Sequence, residues 1–404
     1  MTRLIVTGLI AQHSALGGVA WDYLNFVLGL HTLGFEVYYI EDSGEWPYNW
    51  NGGATGHAWV ATDCSENVSQ LARSFDAFGL NDRWAYRFPP TGKWFGLTDL
   101  KRNEVIKTAD ALLNISGSLD KPELYRAIPK LIYIDTDPAF TQIALSTDEV
   151  LRHRIGVHDC HFSVGENINT WNSMDRWKPT KHPIFLAGWK NDLDCRDAFT
   201  TVMNWTSYKP VVHQGRTFGQ KDRELTRFLN LPNRVAPVPL EIAMPTLFHE
   251  RWESSEQGVM CGERRGGFGS PHELLRYHNW SVVNSLELCG DFITYRNYLM
   301  SSKGEWSVAK QGYVTGSVGW FSGRSACYLS AGRPVVVQNT GINKVIPTGL
   351  GVLAFSDEVE AAEGIREVVS SYQKHAKAAI DIAKAYFDSK TVLMKILQQI
   401  QSKE

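Results

Sequence analysis

The sequence predicts an α/β protein built from two doubly wound domains that face each other across a cleft. Three observations support this prediction. The chain of 404 residues is longer than one hydrophobic core usually serves. Short apolar segments alternate with amphipathic segments of helical period along most of the chain, as in doubly wound folds. A polar, aperiodic stretch at residues 167–181 divides this alternation into two series.

The composition is that of an ordinary globular protein. Hydrophobic residues make up 43% of the chain and charged residues 21%, and no apolar run is long enough to span a membrane. A net charge of -2 provides no global field to attract a polyanion. The six cysteines include no CxxC pair, so neither a disulfide framework nor structural zinc is expected. We interpret the apolar run Leu4–Ala11 as a strand rather than a signal peptide, which predicts a cytoplasmic protein.

The first series opens with a βαβ unit. A strand over Leu4–Leu9 leads through a loop containing Gly17 and Gly18 to a helix over Trp21–Gly34 and a strand over Glu36–Ile40. Apolar residues recur at three-to-four spacing along that helix, as a face packed on a sheet requires. Later elements of the series are predicted at Ser65–Phe78, Ala111–Ile115, Lys121–Ala127 and Lys130–Ile134. Two aperiodic segments, residues 43–60 and 82–99, are predicted to be long binding loops.

The second series is predicted to begin with a strand over Ile184–Gly188. It ends in a long helical pattern over Glu358–Gln401 with a break near Phe387. These patterns predict four regions: an N-terminal domain at residues 1–166, a linker at 167–181, a C-terminal domain at 182–386, and a C-terminal helix at 387–404.

The most informative window is Gly319–Gly341. Here a glycine-flanked loop runs into a short helix, Arg324–Ala331, followed by a buried strand. The start of a helix behind a small-residue loop offers free backbone N–H groups and the positive end of a dipole, which suit a diphosphate. Ser322, Arg324 and Ser325 can add side-chain donors. The alternative is that Ser322 only caps the helix and Arg324 forms a surface salt bridge.

This window resembles the donor-binding segment of glycosyltransferases with the GT-B fold, in which an AGRPVV-type turn follows a short helix. The longer string from Tyr295 to Gly341 is similar to bacterial glycosyltransferases of the family 1/4-like type. The resemblance implies two Rossmann-like domains, of which residues 1–166 bind the acceptor and residues 182–386 bind the donor, with the helix at 387–404 returning to the first domain. It also implies a nucleotide-diphosphate sugar as donor, with a UDP-sugar favoured, and no metal ion or other cofactor. The expected donor-binding residues are Lys310, Trp320, Ser322, Arg324, Ser325, Thr340 and Gly341, and the expected acceptor loop contains Gly17 and Gly18.

The chain also departs from the patterns of such enzymes. The later of two glutamates that mark a retaining branch is replaced by Cys327, and Ser317–Trp320 lacks the histidine of the plant-type inverting branch. Similar proteins often carry aspartate at the position of Gly323. The window therefore specifies the fold and leaves retention or inversion of the sugar open.

Two residues are candidates for a catalytic base, which must reach the acceptor hydroxyl. His13 lies in the loop after the first strand, where the plant-type branch keeps its base, and Asp137 follows a later strand in YIDTDP. Each has a structural alternative, because a loop histidine is often a surface residue and an aspartate before proline can cap a turn. Asp135 and Asp137 also form a DTD sequence resembling the metal motif of the other glycosyltransferase fold, but a GT-B enzyme does not need that metal.

The function expected from the sequence is transfer of a sugar from a nucleotide-diphosphate sugar to a small-molecule, glycan or modified-DNA acceptor. Three alternatives stay open: a nucleotide-sugar epimerase on the same two-domain frame, a transferase that acts on DNA bases, and a non-catalytic bilobed protein that binds a small ligand. The sequence does not predict the oligomeric state.

Overall fold

Two β-sheets organise the chain in this computed structural model, which describes residues 2–49, 59–168, 177–190, 193–245 and 269–401. The first sheet has eight strands. A separate antiparallel ribbon of two strands occurs in the same part of the chain, between the second and third strands of that sheet. In chain order these ten strands are β1 (Arg3–Thr7), β2 (Glu36–Glu41), β3 (Tyr48–Asn49), β4 (Trp59–Val60), β5 (Trp84–Phe88), β6 (Lys93–Gly96), β7 (Ala111–Ile115), β8 (Lys130–Asp135), β9 (Cys160–Ser163) and β10 (Lys178–Pro179).

The order of the first sheet is that of a dinucleotide-binding fold. Its strands run β10-β9-β8-β7-β1-β2-β5-β6, and all neighbours are parallel except β5 and β6. Without the two outermost strands, β10 and β6, the six remaining strands have the order 3-2-1-4-5-6 when they are numbered along the chain. This is the order of Rossmann-like domains. The chain changes direction across the sheet between β1 and β7, and this switch point is where such sheets bind ligands.

The second sheet repeats this order with six strands. It runs β15-β14-β11-β16-β17-β18, and every neighbouring pair is parallel. Its switch point therefore lies between β11 and β16. Its strands and the separate β12–β13 hairpin are β11 (Phe199–Val202), β12 (Val211–His213), β13 (Arg216–Phe218), β14 (Leu240–Met244), β15 (Ser281–Asn284), β16 (Gly304–Ser307), β17 (Val335–Gln338) and β18 (Val352–Phe355).

Helices cover both sheets, so that central strands such as β7 and β17 are buried on both faces, as parallel sheets require. Short 3-10 turns occur at Pro122–Tyr125, Leu186–Trp189, Thr226–Phe228 and Ile342–Lys344, and a π turn at Ala383–Phe387. The α-helices span Gly17–Thr32, Ser65–Asp76, Asp99–Thr108, Phe140–Thr147, Glu149–Gly156, Lys221–Leu225, Leu231–Val235, Pro271–Tyr277, Ser285–Leu288, Phe292–Ser301, Gln311–Gly316, Gly323–Ser330, Glu358–Ser370, Tyr372–Ile382 and Ser389–Gln401.

The last helix packs against the first one. A Cβ atom added to Gly29, in the Gly17–Thr32 helix, would lie 2.6 Å from a methyl carbon of Leu393 and 2.6 Å from Cβ of Ser389. The absence of a side chain at Gly29 thus allows the chain's C-terminal helix to approach the N-terminal half closely. The described part of the chain contains no helix long and apolar enough to cross a membrane.

Two of the predicted elements are wrong. Residues 82–99 contain β5 and β6 rather than a long loop, because the aromatic residues of β5 belong to a strand that is mostly buried and pairs with β2 and β6. Ile184 forms only an isolated bridge with Asp388, since this apolar segment packs beside the returning C-terminal chain and not in a sheet. The second sheet instead begins at β11.

The predicted linker overlaps the first sheet at its end. Lys178–Pro179 pair with β9 as its outermost parallel strand, whereas residues 169–176 of the linker lie outside the described residues. The domain boundaries at residues 166, 181 and 386 remain predictions.

Candidate functional site

A cavity of about 310 Å³ lies where the switch points of the two sheets meet. One wall belongs to the N-terminal half and includes Leu16–Val19, which come after β1 in the chain, and Ser116 at the end of β7. The other belongs to the C-terminal half and includes Val202–Asn204 at the end of β11 and Trp320, which comes after β16. Residues from both halves of the chain therefore line one space at the ligand-binding edges of two Rossmann-like sheets. This cavity is the candidate functional site.

The Gly323–Ser330 helix begins at the wall of the cavity. Ser322, Gly323 and Arg324 line the space, and the Ser322 side chain forms no capping hydrogen bond. No described residue accepts a hydrogen bond from the backbone N–H groups of Gly323, Arg324 or Ser325. These N–H groups, together with the positive end of the helix dipole, form a site suited to an anion.

The Arg324 side chain is bound to the protein on one edge. Its Nε donates to Glu305 Oε1 at 2.6 Å, and its Nη1 donates to the Val202 carbonyl oxygen at 2.7 Å. Glu305 is fully buried, at 0% exposure, so this is an internal ion pair and not a surface salt bridge. Arg324 Nη2 has no partner among the described residues, which leaves one edge of the guanidinium group for a ligand.

Lys221 brings a second cation to the cavity. It makes no ion pair or hydrogen bond with any described residue. Burial lowers the pKa of its ammonium group well below the ordinary value, and the positive charges of Arg324 and Lys310 lower it further. An unpaired lysine beside unbonded N–H groups is expected to attract an anion. Lys221 was not predicted from the sequence, where it is one of many lysines without a recognisable motif.

Asp22 reaches the cavity from the opposite wall, on the Gly17–Thr32 helix. Burial raises the pKa of its carboxyl group to about 7, although the charge of Arg324 acts in the opposite direction. Its side chain lines the cavity and remains accessible to water. Asp22 was not predicted from the sequence because it occupies a polar position of an amphipathic helix, which usually faces solvent.

Gly323 allows three segments of the chain to meet. A Cβ atom at this position would lie 3.3 Å from the ring of His182 and 3.4 Å from Asp22 Oδ1. His182 also lines the cavity, and burial lowers the pKa of its imidazole to about 4. The imidazole is therefore neutral at neutral pH.

Lys310 and Asp137, two residues selected from the sequence, contact each other. Lys310 Nζ donates to Asp137 Oδ1 at 2.9 Å, and Tyr208 donates from its hydroxyl to Asp137 Oδ2 at 2.6 Å. The Tyr313 hydroxyl also donates to Asp137. This cluster joins the two halves of the chain, and neither Lys310 nor Asp137 is among the residues that line the cavity. Their proposed roles as diphosphate ligand and base remain predictions.

His13, the other candidate base, also lies outside the cavity lining. Its ring stacks on Tyr48 with the ring centroids 5.2 Å apart. The Nδ1 atom is buried and has no partner among the described residues, and burial lowers the pKa of the imidazole to about 4. Its role as a base remains a prediction.

The rest of the donor window surrounds the helix start. Trp320 lines the cavity, and Ser325 lines a small recess that adjoins it. Thr340 donates from its hydroxyl to the Trp320 carbonyl oxygen at 2.5 Å, and Gly341 has a φ of +88°, a value that favours glycine. Thr340 and Gly341 therefore shape the loop that carries Trp320, and their contact with a donor remains a prediction.

The DTD carboxylates are both occupied by groups of the protein. Buried Asp135 accepts hydrogen bonds from the hydroxyls of Thr141 at 2.7 Å and Ser163 at 3.0 Å, and Asp137 is held by Lys310 and two tyrosines. Among the described residues, no group of three or more His, Cys, Asp or Glu side chains is arranged to hold a metal ion.

Gly17 fixes the contact between the two walls. Its N–H donates to the Cys289 carbonyl oxygen at 2.9 Å, and a Cβ atom there would lie 2.0 Å from the backbone oxygen of Asp291. Gly18 is less constrained, because its Cβ would lie 3.0 Å from the Tyr295 ring, a side chain that is able to shift. Both glycines line the cavity.

Gly17→Ala is therefore expected to lower the free energy of unfolding by about 1–3 kcal/mol, the usual cost of overpacking. Gly18→Ala serves as the matched control and should cost clearly less. Urea denaturation of both variants measures the difference. Equal stability of the two variants would contradict the close approach of Gly17 to the Asp291 backbone.

No protein-family model and no curated protein matches this sequence, but solved structures of low sequence identity do. Sucrose-phosphate synthase from Thermosynechococcus elongatus has a TM-score of 0.51 and 12% identity, covering 99% of this chain and 98% of the other. Two others each cover 100% of both chains: an alpha-glucosyltransferase in complex with UDP-glucose and DNA containing an abasic site, with a TM-score of 0.57 and 11% identity, and Anabaena HepE in complex with UDP-glucose, with a TM-score of 0.57 and 12% identity.

These similarities extend over the whole chain and confirm the predicted fold. The protein consists of two Rossmann-like α/β domains in the GT-B arrangement, with the cavity between them. One of the structures compared is described as an alpha-glucosyltransferase, and two of them contain UDP-glucose. Assignment to a family 1/4-like group remains a prediction.

Proposed function

We propose that the protein is a glycosyltransferase whose donor is a nucleotide-diphosphate sugar, with a UDP-sugar favoured. The observation that carries this proposal is the unpaired Lys221 beside the unbonded N–H groups of the Gly323–Ser330 helix, in the cleft between two switch points. Two of the structures of the same fold contain UDP-glucose, which supports a uridine nucleotide as the donor group.

Three kinds of positive potential act on the proposed diphosphate. The helix start supplies backbone N–H groups, and Arg324 supplies the free edge of a guanidinium group already fixed by Glu305. Lys221 supplies an amine whose charged form a bound diphosphate would favour. Donors placed where negative charge develops stabilise the transition state, each by about 3 kcal/mol in a dry site. The leaving diphosphate would gain this stabilisation as its bond to the sugar breaks.

We infer from the same groups that transfer does not require a metal ion. The cations and helix start that surround the proposed diphosphate offset its charge, and the DTD carboxylates, which resemble a metal motif, already accept hydrogen bonds from protein donors. A metal in the DTD segment would have to displace Lys310 from Asp137.

The acceptor is proposed to be a small molecule or a glycan bound on the N-terminal wall. A modified-DNA acceptor is less favoured, although one structure of this fold contains DNA. The net charge of the chain is -2, which provides no global field to attract a polyanion such as DNA. A cytoplasmic location remains a prediction.

A panel of nucleotides and nucleotide-sugars tests the proposed function. UDP and at least one UDP-sugar are expected to raise the melting temperature, because ligand at 100 times its Kd adds about 2.7 kcal/mol to the folded state. The same UDP-sugar should be hydrolysed slowly to free UDP, at a rate unaffected by EDTA. Calorimetry and chromatography of the nucleotide products provide the two measurements.

The panel also separates the alternatives. An epimerase would change the sugar without releasing UDP, and a binding protein would raise its melting temperature with no product. Activity that EDTA removes and manganese restores would contradict the proposed metal independence. Failure of every nucleotide to bind would contradict the donor site itself.

A further inference from the structure

We propose that Asp22 is the catalytic residue that accepts the proton of the acceptor hydroxyl during sugar transfer. This inference rests on the proposed function and adds a residue that neither the sequence motif nor the fold assigns.

Asp22 stands opposite the helix start that is proposed to hold the diphosphate. A Cβ atom at Gly323 would lie only 3.4 Å from Asp22 Oδ1, so the carboxylate borders the same small volume as the unbonded N–H groups. Asp22 belongs to the N-terminal wall, and Gly323 belongs to the C-terminal wall. A donor sugar attached to a diphosphate at Gly323 and an acceptor on the N-terminal wall would meet beside Asp22.

The lack of partners distinguishes Asp22 from two fully buried carboxylates of the N-terminal domain, Glu41 and Asp135. Buried Glu41 accepts hydrogen bonds from the N–H groups of Ala11 at 2.8 Å and Gln12 at 2.7 Å, and Asp135 accepts three. Asp22 has no hydrogen bond or ion pair with any described residue. A carboxylate that lines a cleft, is not held by a structural partner and has a shifted pKa is typical of a functional site.

The groups that face Asp22 favour a proton acceptor at this position. Arg324 is committed to Glu305 and acts on Asp22 only through its charge. Burial raises the pKa of Asp22 to about 7 and lowers that of His182 to about 4, while Lys221 and Tyr295 line the same cavity. A general base works best when its pKa lies near the working pH, and Asp22 meets this condition whereas His182 does not.

The step is balanced without a further reactant. The acceptor oxygen forms a bond to the anomeric carbon, and its proton passes to Asp22. The bond between the anomeric carbon and the diphosphate oxygen breaks, and its electron pair stays on the diphosphate beside Lys221 and the Gly323 helix start. In slow hydrolysis of the donor, water takes the place of the acceptor and follows the same course.

Asp22→Asn tests the proposal with UDP-glucose as the donor and water as the acceptor. The variant is expected to release UDP about 100 to 10,000 times more slowly, the contribution of a general base, while its affinity for UDP stays within about twofold of the wild type by calorimetry. The rate of the wild type should rise with pH through about 7, and this rise should be absent in the variant. Asp76→Asn, an exposed carboxylate of the same domain, is the matched control and should leave both rate and pH profile unchanged.

A stability measurement tests the same residue without turnover. The pKa of Asp22 is higher in the folded protein than its ordinary value of 3.8, so the folded state binds the proton more tightly and loses stability as pH rises from about 4 to about 7. Asp22→Asn should therefore melt at a higher temperature than the wild type at pH 8, and the difference should vanish near pH 4. If Asp22 instead stabilised the fold, the Asp22→Asn variant would melt at a lower temperature than the wild type at pH 8.

The possible outcomes separate this proposal from the proposed function. Failure of the wild type to bind UDP would contradict the donor site and leave no basis for the step. UDP binding together with a variant that keeps more than a tenth of the rate, or one that is not stabilised at pH 8, would overturn the role of Asp22 alone. Loss of the pH rise in His182→Gln, with the rise preserved in Asp22→Asn, would also overturn it.

Discussion

Arg324→Ala is expected to lower the free energy of unfolding by about 3–5 kcal/mol, because it leaves a buried charge without its partner. Glu305 is fully buried, and its Oε1 accepts a hydrogen bond from Arg324 Nε at 2.6 Å. The second carboxylate oxygen, Oε2, has no partner among the described residues. Removal of Arg324 therefore leaves a buried carboxylate without its hydrogen-bonded ion-pair partner, and the Val202 carbonyl also loses a donor. Urea denaturation measures the loss.

A double variant separates the electrostatic cost from other causes. Arg324→Met combined with Glu305→Leu removes both charges together, and replacement of a buried ion pair by apolar side chains is often neutral. The double variant should therefore recover most of the stability that Arg324→Ala loses, while UDP affinity stays reduced. A single variant within about 1 kcal/mol of the wild type would contradict the buried ion pair, since such losses are normally larger.

The fold was predictable because its signals are local. Alternating strands and helices, the glycine-rich loop before Arg324 and the turn after it were all visible in the sequence, and the two sheets have the expected doubly wound order. The two wrong elements, at residues 82–99 and 184–188, lie where the local hydrophobicity does not indicate whether the segment joins a sheet. β5 mixes aromatic and polar residues, and Ile184 is apolar without being part of a sheet.

The candidate site was predictable only in part because its residues converge through tertiary structure. Lys310 and Asp137 each looked available for catalysis, yet they are 173 positions apart in the chain and form a hydrogen bond. Asp22 and Lys221 looked like ordinary surface residues of helices, yet both line the cavity. Local patterns therefore identified the helix start, whereas the charged side chains around it depend on how the two domains face each other.

Lys221→Met is expected to weaken UDP binding by about 10-fold to 100-fold, since hydrogen bonds to charged groups contribute about 1.5–3 kcal/mol. The cause is the loss of the unpaired ammonium group from the cavity. Burial and the charges of Arg324 and Lys310 lower the pKa of Lys221 in the free protein, and a bound diphosphate would favour the charged form again. Binding of UDP to the wild type should therefore take up a proton, and the affinity should fall as pH rises. Calorimetry in two buffers of different ionisation enthalpy measures this uptake.

The same substitution should not destabilise the protein, which distinguishes a ligand-binding lysine from a structural one. A lysine whose pKa is lowered on folding is penalised in its charged form, so the folded state loses stability as pH falls. Lys221→Met removes this penalty and should melt at or above the temperature of the wild type at neutral pH, with no proton uptake on UDP binding. Lys377→Met, at an exposed position of the Tyr372–Ile382 helix, is the control and should bind UDP as the wild type does. If Lys221→Met kept its UDP affinity within about twofold, a difference of only about 0.4 kcal/mol, the donor site would have to lie elsewhere in the cleft.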